Sequence, residues 1–269
     1  MQQQKVTETE AHAVLEIDNG VAQITLNRAK AMNSISVQML DEIDAALERC
    51  RVSEVRAVIV RGAGGNFCAG ADLEHVASLI RNEPERFTEE FLPKVQAAMN
   101  AIEAFPAPVI GAVEGHCIAG GLEFLLCCDF VVATESAKFS DGHSVFGFLP
   151  GSGGTYRLAR KIGSNNAKFL SFTGDSVSAE TMRDFGLVSV LCEDDELADT
   201  ALKLGRKLST RSPLGLSRMK TLLNMASDAP RDACLAAEVL ASAAHTASQD
   251  MREGLDAFTE KRKPVFTGR

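Results

Sequence analysis

The chain has 269 residues, of which 45% are hydrophobic and 24% are charged, a balance typical of globular proteins with a substantial buried core. Its formal net charge of -8 at pH 7 repels polyanions, so we expect no nucleic-acid binding. The one basic cluster is the C-terminal segment 261–269, KRKPVFTGR.

Targeting and redox signals also point away from several protein classes. No apolar run approaches the ~20 residues that a membrane-spanning helix needs. The N-terminal sequence MQQQKVTETE lacks the apolar core of a signal peptide and carries acids that a mitochondrial presequence avoids. The seven cysteines are scattered without a CxxC pair, which is typical of reduced thiols. We therefore predict a cytoplasmic protein with no membrane segment, disulfide framework or metal site.

The first elements predicted from the sequence are a hairpin and a helix. The runs AVLEI (13–17) and VAQITL (21–26) flank an Asn-Gly pair, a strong signal for a two-residue hairpin turn. Residues 37–50 then carry apolar side chains at helical spacing, and Ser36 is the expected N-cap.

Strand-like and helix-like patterns alternate through the middle of the chain. Residues 56–62, 108–113 and 130–133 are short β-branched or apolar runs typical of buried strands. The alternation predicts a layered α/β core with crossover connections. Residues 81–86, RNEPER, are polar and contain a proline, so we expect a loop there.

The strand signals stop after about Leu191, and helical patterns follow as far as Phe258. Ser212 and Pro213 form a good helix start, an N-cap followed by proline at the first helical position. We predict a core at 1–195 and a C-terminal helical region at 196–269, whose apolar faces suggest partner subunits.

Three glycine clusters, at 62–73, 115–124 and 150–155, each lie between a strand-like and a helix-like run. Phosphate binding is the first hypothesis, but Gly121 and Leu122 occupy the places where a P-loop has its lysine and its hydroxyl residue. Each cluster alone is typical of a tight turn. Two such turns can instead direct one backbone N–H each at a single carbonyl oxygen and stabilise an oxyanion.

Five segments resemble the crotonase, or enoyl-CoA hydratase/isomerase, superfamily in order and spacing. They are NRAKAMNSIS (27–36), FCAGADL (67–73), GHCIAGGLEF (115–124), FLPGSGGTYRL (148–158) and EGLDAFTEKRKPVF (253–266). The resemblance covers nearly the whole chain. It implies an α/β fold, a crotonase-like spiral of ββα repeats with a C-terminal helical trimerisation region, forming a homotrimer or a dimer of trimers. It also implies an acyl-CoA thioester substrate, with no cofactor beyond that coenzyme A.

The same resemblance assigns site residues. The amides of Ala71 and Gly120 map to the oxyanion hole that holds the thioester oxygen as an enolate develops. Five residues map to coenzyme A binding, namely Ala69, Asp72 and Leu73 at the adenine edge, and Phe258 and Lys261 contributed by a neighbouring subunit.

The catalytic positions contain one departure from the family pattern. Hydratases of this family hold the attacking water with two glutamates and a backbone N–H from a Pro-Gly turn. Glu123 falls on the first glutamate and Gly151 on the turn, but His143 stands in the place of the second glutamate. Imidazole exchanges a proton near neutral pH, and Asp141 and Ser140 precede it in the chain where they could fix its tautomer.

The function that the resemblance implies is therefore enoyl-CoA hydration or dehydration, with Glu123 as the main acid/base. His143 and Gly151 complete the handling of water. Two alternatives stay open. One is hydrolysis of an acyl-CoA thioester or of a β-dicarbonyl C–C bond, and the other is an acyl-CoA-binding protein with little turnover. Cys68 and Cys117 lie near the expected site without a histidine at a known nucleophile spacing, so we interpret both as packing residues.

Overall fold

The structure of the protein is a computed structural model that describes residues 10–269. The predicted absence of a targeting signal concerns residues 1–10, of which 1–9 lie outside the described residues. In the described part, no helix is both long enough and apolar enough to cross a lipid bilayer.

The elements of residues 10–269 follow the alternation expected from the sequence. The strands are β1 (Ala13–Asp18), β2 (Val21–Leu26), β3 (Ala57–Gly62), β4 (Val109–Val113), β5 (His116–Ile118), β6 (Phe130–Thr134), β7 (Lys138–Ser140), β8 (Val177–Ser178) and β9 (Val188–Cys192). The helices are α1 (Val37–Val52), α2 (Leu73–Asn82), α3 (Pro84–Arg86), α4 (Leu92–Glu103), α5 (Gly120–Leu125), α6 (Gly154–Thr173), α7 (Ala179–Asp184), α8 (Leu197–Ser209), α9 (Pro213–Met225), α10 (Arg231–Thr246) and α11 (Gln249–Glu260).

Two sheets form a spiral. The larger sheet has the strand order β1-β2-β3-β4-β6-β9, and the smaller has the order β5-β7-β8. In the larger sheet only the pair β1–β2 is antiparallel. The other neighbouring strands run parallel, so they need crossover connections. The successive pairs β4–β5 and β6–β7 each give one strand to each sheet before a helix follows. The predicted α/β spiral of ββα units is confirmed.

Helices cover both faces of the larger sheet, which explains why its central strands are apolar along their length. On one face, α1 and α4 pack against the strands through a large buried cluster. On the other face, Leu197 and Ala201 of α8 pack against Ile59 and Ile110 of the central strands. Parallel strands buried on both faces lose the alternation of polar and apolar residues.

The local signals at the N-terminal end are confirmed. Asn19 and Gly20 have φ angles of 50° and 77°, the left-handed pair that a type I′ hairpin turn requires. Ser36 caps α1, its hydroxyl accepting a hydrogen bond from the Met39 amide at 3.1 Å.

The prediction of a loop at 81–86 is wrong. Helix α2 continues to Asn82, α3 begins at Pro84, and a π-helical turn (Phe87–Phe91) leads directly into α4. Proline is compatible with the first helical position because its missing N–H would be unpaired there. Arg86 also bonds Glu83 at 2.8 Å and Glu90 at 3.1 Å, so the charged residues support helical turns.

After β9 the chain is mainly helical as far as Glu260, as the sequence predicts. Ser212 caps α9 by accepting a hydrogen bond from the Gly215 amide at 2.9 Å, with Pro213 at the first helical position. Helix α8 belongs by its packing to the sheet, whereas α9 to α11 expose large apolar side chains, among them Leu240 and Phe258. The division into 1–195 and 196–269 stays a prediction.

Candidate active site

A cavity of about 800 Å³ lies between the smaller sheet and the helices α2 to α4. Its polar groups come from the turns that follow β3, β5 and β7 and from the segment before α6. Its opposite wall is apolar and includes Val76, Ile80, Phe87, Phe91, Leu92 and Val95. The cavity therefore pairs a small group of polar atoms with a surface suited to an apolar chain.

Within residues 10–269, two backbone amides at the polar end of the cavity have no hydrogen-bond acceptor. Ala71 and Gly120 both line the cavity, and among the described residues neither amide donates a hydrogen bond to a protein atom. The two turns touch, since a Cβ added at Gly120 would lie 3.2 Å from the Ala71 nitrogen. Ala119 has φ 48° and ψ -119°, a strained conformation that turns the chain sharply from β5 into α5. Both amides are therefore available to donate hydrogen bonds to an acceptor in the cavity.

The carboxylate of Glu123, in the first turn of α5, is bound by the start of another helix. Its Oε1 accepts hydrogen bonds from the amides of Ser152 and Gly154, each at 2.9 Å, where α6 begins. A helix N-terminus is a natural site for an anion. A Cβ at position 154 would lie 2.8 Å from Oε1 and 2.9 Å from Cγ of Glu123, so any larger residue would displace this side chain. The Glu123 side chain is buried, and its Oε2 stays without a protein hydrogen bond in residues 10–269.

His143 faces that second oxygen. Its Nε2 lies 3.8 Å from Oε2 of Glu123, and its Nδ1 lies 2.5 Å from Oδ1 of Asp141. The other oxygen of Asp141 accepts a hydrogen bond from the hydroxyl of Ser171 on α6, also at 2.5 Å. A chain of polar contacts therefore runs from Ser171 through Asp141 and His143 to Glu123.

Burial and charge shift the pKa values of these groups. Burial raises the pKa of Glu123, although the Ser152 amide and the charge of His143 oppose the rise. Burial alone would lower the pKa of His143, but the hydrogen bond and charge of Asp141 outweigh it and raise this pKa. The pKa of Asp141 is lowered, since hydrogen bonds from His143 and Ser171 overcome the opposing effect of burial.

Comparisons with known proteins give the family. A family model described as enoyl-CoA hydratase/isomerase matches residues 16–269. The short-chain-enoyl-CoA hydratase of Clostridium acetobutylicum is 34% identical over 94% of this chain and 96% of its own. The 2,3-dehydroadipyl-CoA hydratase of Escherichia coli is 34% identical over 93% of this chain and 96% of its own. The crystal structure of an enoyl-CoA hydratase from Bacillus anthracis superposes with a TM-score of 0.90 at 32% identity, covering 96% of this chain and all of that one.

The chain belongs to the enoyl-CoA hydratase/isomerase family. It is an enzyme of that family, which acts on acyl-CoA thioesters.

The residues expected to be catalytic come together in this family member. All five, namely Glu123, His143, Ala71, Gly120 and Gly151, line the cavity. Gly151 packs beside Leu92, and it is the next residues of the same turn, Ser152 and Gly154, whose amides bond Glu123.

The residues expected to bind coenzyme A are more dispersed. Ala69 and Leu73 line the cavity. Asp72 instead caps α2 and forms an ion pair with Arg28 at 2.9 Å. Phe258 and Lys261 are exposed at the end of α11 and do not line the cavity. Their assignment to a neighbouring subunit stays a prediction.

Three nearby groups have other roles. The hydroxyl of Ser140 donates to the carbonyl of Gly174 at 2.9 Å, so of Ser140 and Asp141 it is Asp141 that bonds the imidazole. Cys68 and Cys117 are fully buried, and burial raises the pKa of Cys68 to about 12. Because a raised pKa leaves a thiol protonated near neutral pH, both cysteines are poor nucleophiles, which agrees with packing roles.

Sequence reasoning missed Ser171 and the role of the amides at 152 and 154. The glycines before α6 were a signal for anion binding, but the anion is the protein's own carboxylate. No sequence signal connects Ser171 with Asp141, because they are brought together only by the fold.

Proposed function

We propose that this enzyme adds water across the double bond of a 2-enoyl-CoA thioester and catalyses the reverse dehydration. The observation that carries the proposal is the placing of two acceptor-free amides, Ala71 and Gly120, in one cavity with the facing pair Glu123 and His143. Enolate chemistry needs both parts, donors for the oxygen and groups that move protons nearby.

The reaction balances with these groups. The thioester oxygen accepts hydrogen bonds from the two amides. Glu123, as a carboxylate, takes a proton from water while the water oxygen bonds to C3, and the electrons of the double bond move to C2 and the thioester oxygen as an enolate. His143, as an imidazolium, then gives its Nε2 proton to C2. A proton passing from Glu123 to His143 restores the starting state, and one water has been added overall.

The facing atoms suit this exchange. The 3.8 Å between Oε2 of Glu123 and Nε2 of His143 is too long for a direct hydrogen bond, but both atoms can contact one water molecule. Two amides fix the other oxygen of Glu123, so only Oε2 is available for the water. The name of the Clostridium relative supports hydration as the reaction.

The test is hydration of trans-2-butenoyl-CoA and longer 2-enoyl-CoA thioesters. We expect the ultraviolet absorbance of the conjugated thioester to fall, and mass spectrometry to find a product heavier by one water. If no enoyl-CoA in the panel gains water, the proposal is wrong.

One observation favours thioester hydrolysis as a second candidate. The short contact between Asp141 and His143 fixes an imidazole that can activate water beside the amides of Ala71 and Gly120. Water would then bond to the thioester carbon, the C–S bond would break, and the released thiolate would take up a proton. A thiol-reactive dye detects the free coenzyme A that this reaction releases and hydration does not.

We also propose that the enzyme is a homotrimer, alone or paired into a hexamer. Exposed apolar side chains on α9, α10 and α11 support an interface, with Leu223, Leu240 and Phe258 at least 70% exposed. Light scattering of the purified protein tests this proposal, and a monomer at micromolar concentration would refute it.

A further inference from the structure

His143 is held by its neighbours in one orientation and one tautomer. Oδ1 of Asp141 lies 2.5 Å from the ring Nδ1 and also accepts the backbone amide of His143 at 3.3 Å. An ionised carboxylate can only accept, so Nδ1 carries a proton and Nε2 is the nitrogen that faces Glu123.

Asp141 is itself fixed from a distant part of the chain. It is 5% exposed, and its second oxygen accepts the hydroxyl of Ser171 at 2.5 Å. A buried carboxylate with both oxygens bonded to donors stays ionised and cannot rotate without losing a hydrogen bond. Asp141 and His143 therefore form a constrained pair, of which His143 lines the cavity.

We propose that Asp141 is a positioning residue that directs Nε2 of His143 at Glu123 and balances the charge of the protonated ring. The inference rests on the proposed hydration. With its ring protonated, His143 and Asp141 together are neutral, so the pair can donate a proton to C2 without adding a net positive charge beside Glu123. Without Asp141, a partly buried imidazolium would face Glu123 alone, and the ring could turn.

The surroundings of His143 contain few other charges. Asp141 faces it from the turn after β7 and Glu123 from α5, whereas α6 contributes the uncharged hydroxyl of Ser171. The guanidinium of Arg157, also on α6, is paired with Glu103 at 2.8 Å. The two carboxylates therefore dominate the proton affinity of His143.

The first experiment needs no turnover. NMR titration of labelled histidine in the wild-type protein follows the ring of His143, whose signals are assigned by their loss in His143→Gln. We expect a pKa above the ordinary value of about 6.5 and ring nitrogen shifts showing a proton on Nδ1 in the neutral form. A pKa below that value, or a neutral ring protonated on Nε2, would overturn the proposal.

The second experiment removes the charge. In Asp141→Asn we expect the pKa of His143 to fall by about one unit or more, and the alkaline limb of the kcat/KM profile to move by the same amount to lower pH. Asp250→Asn is the matched control. Asp250 is 2% exposed and accepts a serine hydroxyl at 2.5 Å, but it lies outside the cavity, so the His143 pKa and the limb should not move.

The outcomes separate the two proposals. If the pKa of His143 falls in Asp141→Asn but the wild-type enzyme hydrates no enoyl-CoA, the pairing of Asp141 with His143 is correct and the proposed function is wrong. If hydration occurs but neither the pKa nor the limb moves, the inference is wrong. If the variant does not fold, as judged by circular dichroism, the wild-type titration still decides.

Discussion

Replacing Glu123 with glutamine tests the site most directly, because the structure separates the two oxygens of this carboxylate. Oε1 accepts the amides of Ser152 and Gly154, and a glutamine carbonyl oxygen can accept the same two hydrogen bonds. The NH₂ group would occupy the place of Oε2, opposite His143, and cannot take a proton from water. The substitution therefore removes the proton acceptor and leaves the anchoring contacts in place.

The expected loss is kinetic. A positioned acid/base contributes at least ~10²-fold, so kcat for an enoyl-CoA should fall by that factor or more, equivalent to about 2.7 kcal/mol of transition-state stabilisation. The assay is the initial rate of absorbance loss over a range of substrate concentrations. Glu253→Gln is the control, since Glu253 pairs with Arg262 outside the cavity and should leave kcat unchanged.

The folded state should not be weakened. Burial raises the pKa of Glu123, so its stabilising contribution is present below the ordinary pKa and is lost as the pH rises through the raised one. At neutral pH glutamine avoids the cost of an ionised buried group, and we expect an equal or higher Tm. A variant that keeps kcat within about threefold of wild type would refute the acid/base assignment. A loss of activity with a lower Tm would refute the claim that the anchoring contacts survive.

Three further predictions concern the packing around Glu123, the pH dependence of the reaction and the accessibility of the cysteines. Gly154→Ala places a Cβ 2.8 Å from Oε1 of Glu123, so kcat should fall by ~10² while circular dichroism stays unchanged, and normal turnover would contradict this packing. The kcat/KM profile should be bell-shaped, with an acid limb above the ordinary glutamate value because the pKa of Glu123 is raised and an alkaline limb above the ordinary histidine value because the pKa of His143 is raised. A rate that rises steadily into the alkaline range would show that His143 acts as a neutral base. Of the seven cysteines, six are buried and only Cys234 is partly exposed, so a thiol reagent should modify one thiol in the native protein without loss of activity. Rapid modification of two or more would disprove it.

Local sequence signals predicted the elements well where the deciding contacts are local. The Asn19–Gly20 turn and the caps at Ser36 and Ser212 depend on neighbours within three residues, and all are confirmed. The segment 81–86 was misjudged because its charges and proline are equally typical of a loop. Its helical state depends on ion pairs and on the helices at either side.

The candidate site was predictable as a set of residues but not as an arrangement. Their positions in the family pattern identified Glu123 and His143, and both residues line one cavity in the structure. The groups that hold these two side chains are distant in the chain. The Ser152 amide, which bonds Glu123, is 29 residues away from it, and Ser171, which bonds the His143 partner Asp141, is 30 residues from Asp141. Contacts at such separations depend on how the two sheets stack the successive turns, which no local pattern specifies.

Helix α6 limits which sequence changes the active site can tolerate. The turn at its start anchors Glu123, and its last turn anchors Asp141, while Gly163, with φ 77° and ψ 152°, interrupts the helix between them. The relative positions of Glu123 and of Asp141, the residue that holds His143, therefore depend on the number of residues from 152 to 171 and on the bend at Gly163. A single insertion or deletion within either helical half would rotate the residues after it by about 100° relative to those before it, so α6 should tolerate substitutions at its exposed positions better than changes in length.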